Sequence, residues 1–274
     1  MAAVNYRHTF HAGNFGDCVK HAVLLWLLHA LQRKPASLFV LDTHAGAGCY
    51  DLNAEPAART GEWRNGIARL LGEPPPELAD YVALIRSIGL YPGSPAIARA
   101  LLRRDDRMAC CELHPEDIIA LRRRFAGDPQ VAVHHRDAWE ALGALLPPKQ
   151  RRGLVLIDPP FEEPREFAAL VRGLATGWQR FRTGVFAAWH PIEQRAPVRQ
   201  FLDDIEQSGI RDVVTAELCL REPVDPARLN GCGVLVVNPP YRFEQEVPAI
   251  LAALLDRLGD RGLGEAAVRR IVDE

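Results

Sequence analysis

The chain has 274 residues, 48% of them apolar and 25% charged, ordinary values for a globular protein with a substantial core. Its 33 basic and 35 acidic side chains leave a formal charge of -2, so no global positive field announces a nucleic-acid partner and any such contact must come from local patches. Six cysteines without a CxxC pair argue against a disulfide framework or a structural zinc site, and the run "AVLLWLLHAL" is too short to span a bilayer, so a cytoplasmic protein with no membrane partner and no metal is expected.

In chain order, "NFGD" at 14–17 precedes "CVKHAVLLWLLHALQRK", whose apolar residues recur at helical spacing and whose end is basic, as a helix C-terminus favours. "SLFVLDTHAGAG" at 37–48 reads as a buried strand breaking into a glycine turn. About 60 residues then separate that turn from the next apolar run, far more than one crossover needs. "GSPAIARALLRR", with Ser94 as N-cap and Pro95 in the first helical position, reads as the crossover helix, which makes residues 52–91 a helical insertion. Further apolar runs follow at "MACCEL", "VAVHH", "LVLID", "GVFAAWH", "DVVTAELCL" and "GVLVVN". Together they predict an α/β fold with a mostly parallel sheet of seven strands, forming a single domain over 1–274. Three basic runs, around Arg103, Arg122 and Arg151, are candidate phosphate contacts, although most such runs are merely solvated.

Ligands of open parallel sheets bind at the carboxyl ends of the strands, so the residues following each strand form one set of candidates. The first strand offers His44, Gly46 and Gly48, the second Glu112, the third Asp137 and Ala138, and the fourth Asp158, Pro159, Pro160 and Phe161. The glycine turn alone is weak evidence, because it lacks the third glycine of a dinucleotide fingerprint. In sequence, however, a glycine turn, a carboxylate for two ribose hydroxyls and an Asp for an adenine amino group describe an adenosyl ligand. With "DPPF" at 158–161 the set resembles the Rossmann-like class I methyltransferases that use S-adenosyl-L-methionine and act on exocyclic amino groups.

"DPPF" has a chemical rationale. The lone pair of an adenine N6 is delocalised into the ring and must be drawn toward sp3 character before it attacks a methyl sulfonium. Asp158 and the Pro159 carbonyl can accept both amino hydrogens and stabilise the charge developing on nitrogen, while Phe161 offers a face to the base. "NPPY" at 238–241 could serve the same chemistry, but it follows a strand far from the adenosyl set and reads better as a proline-stiffened turn into the helix "EQEVPAILAALLDRLG".

The blocks "NYRHTFHAGNFGDCVKHAVL", "LDTHAGAG", "ARTGEW", "YPGSP", "CELHP" and "RRGLVLIDPPF", together with "NPPY", resemble the RlmJ family of 23S ribosomal RNA adenine-N6 methyltransferases over essentially the whole chain. The resemblance implies that Lys20, His21, His44, Gly46, Ser94, Glu112, Asp137, Ala138 and Asp158 bind the methyl donor, Lys20 by pairing with its methionine carboxylate. It implies catalysis by Asp158 with Pro159 and Phe161, and substrate engagement by Tyr6, His8, Lys20 and Phe161. It assigns the insertion a part in holding RNA, with a monomer acting on protein-free 23S rRNA or an early assembly intermediate. Phe161 departs from the Tyr of the family pattern, keeping the stacking face without the hydroxyl. Rival readings are methylation of DNA adenine N6 or rRNA guanine N2, and a catalytically silent RNA-binding module. A metal cluster of His8, His11, His21 and His44 is disfavoured because partner spacings are not evident.

Overall fold

The computed structural model describes residues 7–162, 165–260 and 262–274. Helix α1 (Phe15–Gln32) leads into strand β1 (Phe39–Asp42). The short strands β2 (Cys49–Tyr50) and β3 (Tyr91–Pro92) pair antiparallel and bracket helices α2 (Glu55–Thr60) and α3 (Ala79–Ile88). Next come α4 (Ser94–Leu101), β4 (Arg107–Glu112), α5 (Pro115–Arg124), β5 (Val131–His135), α6 (Ala138–Ala144) and β6 (Gly153–Ile157). The second half holds α7 (Glu166–Arg180), β7 (Val185–Ile192), α8 (Arg195–Gln207), β8 (Val213–Cys219), β9 (Gly231–Val237), α9 (Phe243–Leu258) and β10 (Glu265–Val272).

The main sheet has the order β10-β8-β9-β7-β6-β1-β4-β5. Strands β5, β4, β1, β6 and β7 are mutually parallel, β9 runs against β7 and β8, and β10 runs against β8. Strand β1 lies between β4 and β6, so the chain winds outward in both directions from it, and the crevice at its carboxyl end is the topological switch point.

Seven strands were expected and the sheet has eight. The additional one, β10, is an edge strand carrying Glu265, Arg269 and Arg270 and no fully buried residue, so no apolar run marks it. It also means that β9 is not the last strand. The inner strands, by contrast, are covered on both faces. Leu154 and Leu156 of β6 join the core beneath α1 and α9, while Val155 and Ile157 join the one beneath α6, α7 and α8.

Helix α1 starts earlier than its apolar run suggests. Asn14 caps it by accepting the Asp17 amide at 3.0 Å, which brings Phe15, Gly16 and Asp17 into the first turn. Ser94 is not the cap of α4. Gly93 holds that position, and the Ser94 hydroxyl donates instead to the buried Asp42 carboxylate at 2.7 Å, where an unpaired oxygen would cost more than an open helix end.

Candidate active site

The four strands around the switch point deliver one carboxylate each. Asp42 ends β1, Glu112 ends β4, and Asp137 and Asp158 follow β5 and β6 directly or by one turn. They open onto a cleft of about 940 Å³. His8, Lys20, His21, His44, Gly46, Ser94, Glu112, Asp137, Ala138, Asp158, Pro159 and Phe161 all line it. Tyr6 lies outside the described residues.

At its centre is a chain of charges. Lys20 Nζ lies 2.5 Å from Asp158 Oδ2 and 2.8 Å from Asp17 Oδ1. Asp17 also accepts the Gly13 amide at 2.9 Å and lies 2.9 Å from His8 Nε2. Burial opposes a charge on Lys20, but Asp158 and Asp17 outweigh it and hold the ammonium well above its ordinary range. Burial likewise opposes ionisation of Asp17, and His8 and Lys20 reverse that, keeping the carboxyl well below the usual carboxylate range. Lys20, expected to meet a ligand carboxylate, thus meets two protein carboxylates.

The glycine turn forms the opposite wall. Gly46 has φ +59°, and a Cβ there would strike the Tyr50 hydroxyl, so glycine is what lets the turn close against Tyr50. Its amide donates to Glu112 Oε2 at 2.7 Å, and the Leu113 and His114 amides donate to Oε1 at 2.7 and 2.6 Å. These bonds fix the orientation of Glu112, whose carboxyl burial pushes upward in pKa. Asp137 caps α6, accepting the Trp139 and Glu140 amides with Oδ1 alone, which leaves Oδ2 for a ligand. Ala138 is the first residue of that helix.

Two histidines lie between these walls, His21 fully buried and His44 partly exposed. Burial lowers His21 to about 3 and His44 to about 4, so both are neutral at neutral pH. His21 Nδ1 lies 3.1 Å from the Tyr91 hydroxyl, and its buried Nε2, 4.0 Å from Asp17 Oδ1, has no hydrogen-bond partner among the described residues. His44 Nδ1 lies 2.8 Å from Thr43 Oγ1 and 3.3 Å from the Asp158 amide, linking the end of β1 to that of β6. Asp42 is pushed up to about 7 by burial, partly countered by the Ser94 hydroxyl.

Phe161 has φ +51°, which turns its ring back against Trp189 and Phe167, with centroids 5.9 and 4.9 Å away in edge-to-face geometry. "NPPY" is elsewhere. Val237, the end of β9, pairs with Phe186 and Val213 near the starts of β7 and β8, so Asn238 sits at the amino edge of the parallel strands, opposite the cleft. Its side-chain amide donates to the Arg182 and Gly184 carbonyls at 2.8 and 2.7 Å, and Tyr241 is exposed. Arg103 and Arg107 flank the start of β4, and Arg152 precedes β6, at that same edge; each is bonded to nearby backbone carbonyls. The residues missed from sequence are Asp17, Trp139 and Trp189. Only the three-residue spacing of Asp17 and Lys20 in a helix could have signalled the first.

A profile described as "Ribosomal RNA large subunit methyltransferase D, RlmJ" matches residues 35–272. The chain belongs to the RlmJ family. It is 41% identical to "Ribosomal RNA large subunit methyltransferase J" of Escherichia coli and 38% identical to the protein of that name in Haemophilus influenzae, covering 99% of this chain and 100% of each relative. A crystal structure of a Legionella pneumophila protein matches with a TM-score of 0.87 and 33% identity, over 95% of this chain and 98% of that one. Among the described residues of this family member, no group of three or more His, Cys, Asp or Glu is placed to hold a metal ion, and no helix is long and apolar enough to cross a membrane.

Proposed function

We propose that this member of the RlmJ family, a family of ribosomal RNA large subunit methyltransferases, transfers the methyl group of S-adenosyl-L-methionine to N6 of an adenine in 23S rRNA. The observation that carries the proposal is the Asp158 carboxylate held by Lys20 at the switch-point end of β6, in one cleft with Glu112 and Asp137.

The residues fit the donor. Glu112, held by three backbone amides, offers a fixed acceptor suited to ribose hydroxyls. Asp137 Oδ2 suits an adenine amino group, with Ala138 beside it at the helix start. The buried Nε2 of His21, without a hydrogen-bond partner among the described residues, is a polar atom that the donor can satisfy. When bound, the donor supplies a methyl group already activated on a sulfonium. The protein's own work is then to place and polarise the amine.

Lys20 occupies Asp158 Oδ2, which leaves Oδ1 to accept from the N6 amino group. Together with the Pro159 carbonyl it would draw both hydrogens aside as N6 takes the methyl and the sulfonium becomes a neutral thioether, and N6 then gives up one proton to water. Acceptors set in place this way contribute on the order of 10²–10³ in rate. Phe161, backed by Trp189 and Phe167, is the surface for an unstacked base, as single-stranded RNA recognition requires. His8 and Tyr6 of the leader engage the substrate, and the segment 52–91 is a helical subdomain that helps hold the RNA. The protein works as a cytoplasmic monomer on protein-free 23S rRNA or an early assembly intermediate.

Labelled methyl transfer to protein-free 23S rRNA lacking the modification, followed by nucleoside analysis, tests the reading. N6-methyladenosine is the expected product. Label in a guanine nucleoside, or transfer to DNA in preference to RNA, overturns it.

A further inference from the structure

We propose that Asp17 is a positioning residue for methyl transfer, a single carboxylate whose two oxygens join the lysine on Asp158 to the leader turn that carries His8. The inference rests on the adenine-N6 reading above.

Asp17 is 2% exposed, and each of its oxygens has a separate task. Oδ1 lies 2.8 Å from Lys20 Nζ. Oδ2 accepts the Gly13 amide and lies 2.9 Å from His8 Nε2. The positions i and i+3 on α1 place Asp17 and Lys20 on one face of the helix, so the pair is set by local geometry.

Lysine is a flexible stem bearing a point charge, and a single carboxylate does not define where that charge rests. With Asp17 on one side and Asp158 on the other, the ammonium is trapped between two fixed oxygens. It therefore takes one particular oxygen of Asp158, and the rotation of the catalytic carboxylate follows.

The other half of the device faces the leader. The His8 ring packs edge-to-face on Tyr50, with centroids 5.1 Å apart, and the Tyr50 hydroxyl accepts the Ala47 amide of the glycine turn at 3.3 Å. The next leader residues are docked on the insertion through His11 with Glu62 at 2.8 Å and the Thr60 hydroxyl donating to the Phe10 carbonyl. Asp17 thus ties the segment that meets the substrate to the carboxylate that polarises it. An amide at this position keeps the volume but has one acceptor oxygen in place of two, and sets an NH₂ group against either the ammonium or the leader donors.

The test is a pair of double-mutant cycles on protein-free 23S rRNA, with kcat and KM measured for each substrate. Asp17→Asn is expected to lower kcat at least about tenfold while the KM for S-adenosyl-L-methionine stays within about twofold, the pattern of a lost transition-state interaction. Its loss in kcat should not multiply with that of Lys20→Met, because the second change acts on a lysine already misplaced. Its rise in RNA KM should likewise not multiply with that of His8→Ala. Multiplicative losses in either cycle, or a lowered melting temperature with unchanged kinetics, would overturn the proposal.

If Asp17→Asn alone does not fold, the double variant Asp17→Asn/Lys20→Met removes both charges and stands in for it. Turnover equal to that of Lys20→Met supports the coupling, and a further fall overturns it. Wild-type turnover is read separately on the same RNA. Its absence defeats the reaction and this inference together, whereas normal wild-type turnover with a multiplicative cycle defeats only the role of Asp17.

Discussion

The two proline tetrads of this chain are alike in sequence and opposite in circumstance. "DPPF" follows β6, which runs with β1, and so opens into the switch-point crevice; "NPPY" follows β9, which runs against β7 and β8, and so emerges at the far edge of the sheet. Asp158 meets a buried ammonium, and Phe161 folds back onto aromatic rings in the cleft wall. Asn238 spends its amide on two carbonyls of the turn before β7, and Tyr241 projects into solvent. An acceptor, two prolines and an aromatic make a stiff turn anywhere. They make a site for an amine only where the strand direction carries them to the ligand edge and a cation fixes the acceptor.

The largest effect that tests this contrast is on turnover. Asp158→Ala should lower kcat by about 10³-fold, in line with the loss of a fixed polarising group, and labelled methyl incorporation at saturating substrates reads it. Asn238→Ala should leave kcat unchanged in the same assay; a loss comparable to that of Asp158→Ala would break the distinction between the two edges.

Next in size is the donor wall. Glu112→Ala should raise the KM for S-adenosyl-L-methionine by about 10- to 100-fold, the scale of lost hydrogen bonds to a charged group. An unchanged KM would remove Glu112 from the donor site. Stability reports the other edge. Asn238 has φ +53° and satisfies two backbone carbonyls, so Asn238→Ala should cost about 2–3 kcal/mol in urea unfolding, from lost bonds and left-handed backbone strain together. A cost below about 0.5 kcal/mol, typical of an uninvolved surface position, would show that the turn does not need it.

Acid separates the edges in a further way, because the cleft holds His21, His44 and Asp42. The histidines are lowered to about 3 and about 4, so below pH 6.5 the unfolded chain takes up protons that the folded one refuses, and stability falls as pH falls. Asp42 acts with the opposite sign. Raised to about 7 in the folded state from 3.8, it favours the folded state increasingly as pH falls between those values. With two protons against one, these groups should together cost about 1.4 kcal/mol per pH unit between pH 6.5 and 4. Asp42→Asn removes the opposing contribution and should roughly double that slope. Urea midpoints from pH 6.5 to 5 give the comparison, and equal slopes would contradict the assignment. Smallest of all, Tyr241→Ala should change stability by less than about 0.5 kcal/mol and leave methyl transfer as it was.

Much of this protein is legible in one dimension. Burial on both faces gives the inner strands continuous apolar runs, and each of the runs of β1, β4, β5 and β6 leads into residues that the switch-point rule brings to the ligand edge. Glu112, Asp137 and Asp158 could therefore be nominated from their places after strands, and the motifs from "NYRH" to "DPPF" carry the family likeness. Strand β10 was hidden because an edge strand needs no apolar run, and its charges read as surface. Ser94 was misread as a cap because nothing local announces that a buried carboxylate 52 residues upstream will claim its hydroxyl. The protein partners of Lys20 were not nominated, because Asp158 lies 138 positions away and nothing local points to it.

By itself the sequence determined the element types, the strand-end chemistry and the family, since these follow from local periodicity and from residue types adjacent along the chain. The tertiary structure alone decided that "NPPY" emerges at the opposite edge of the sheet, which oxygen of Asp158 takes Lys20, and that Asp17 stands behind Lys20. Those depend on strand direction and on partners as far apart as 138 positions, which only the closing of the sheet brings within hydrogen-bond reach.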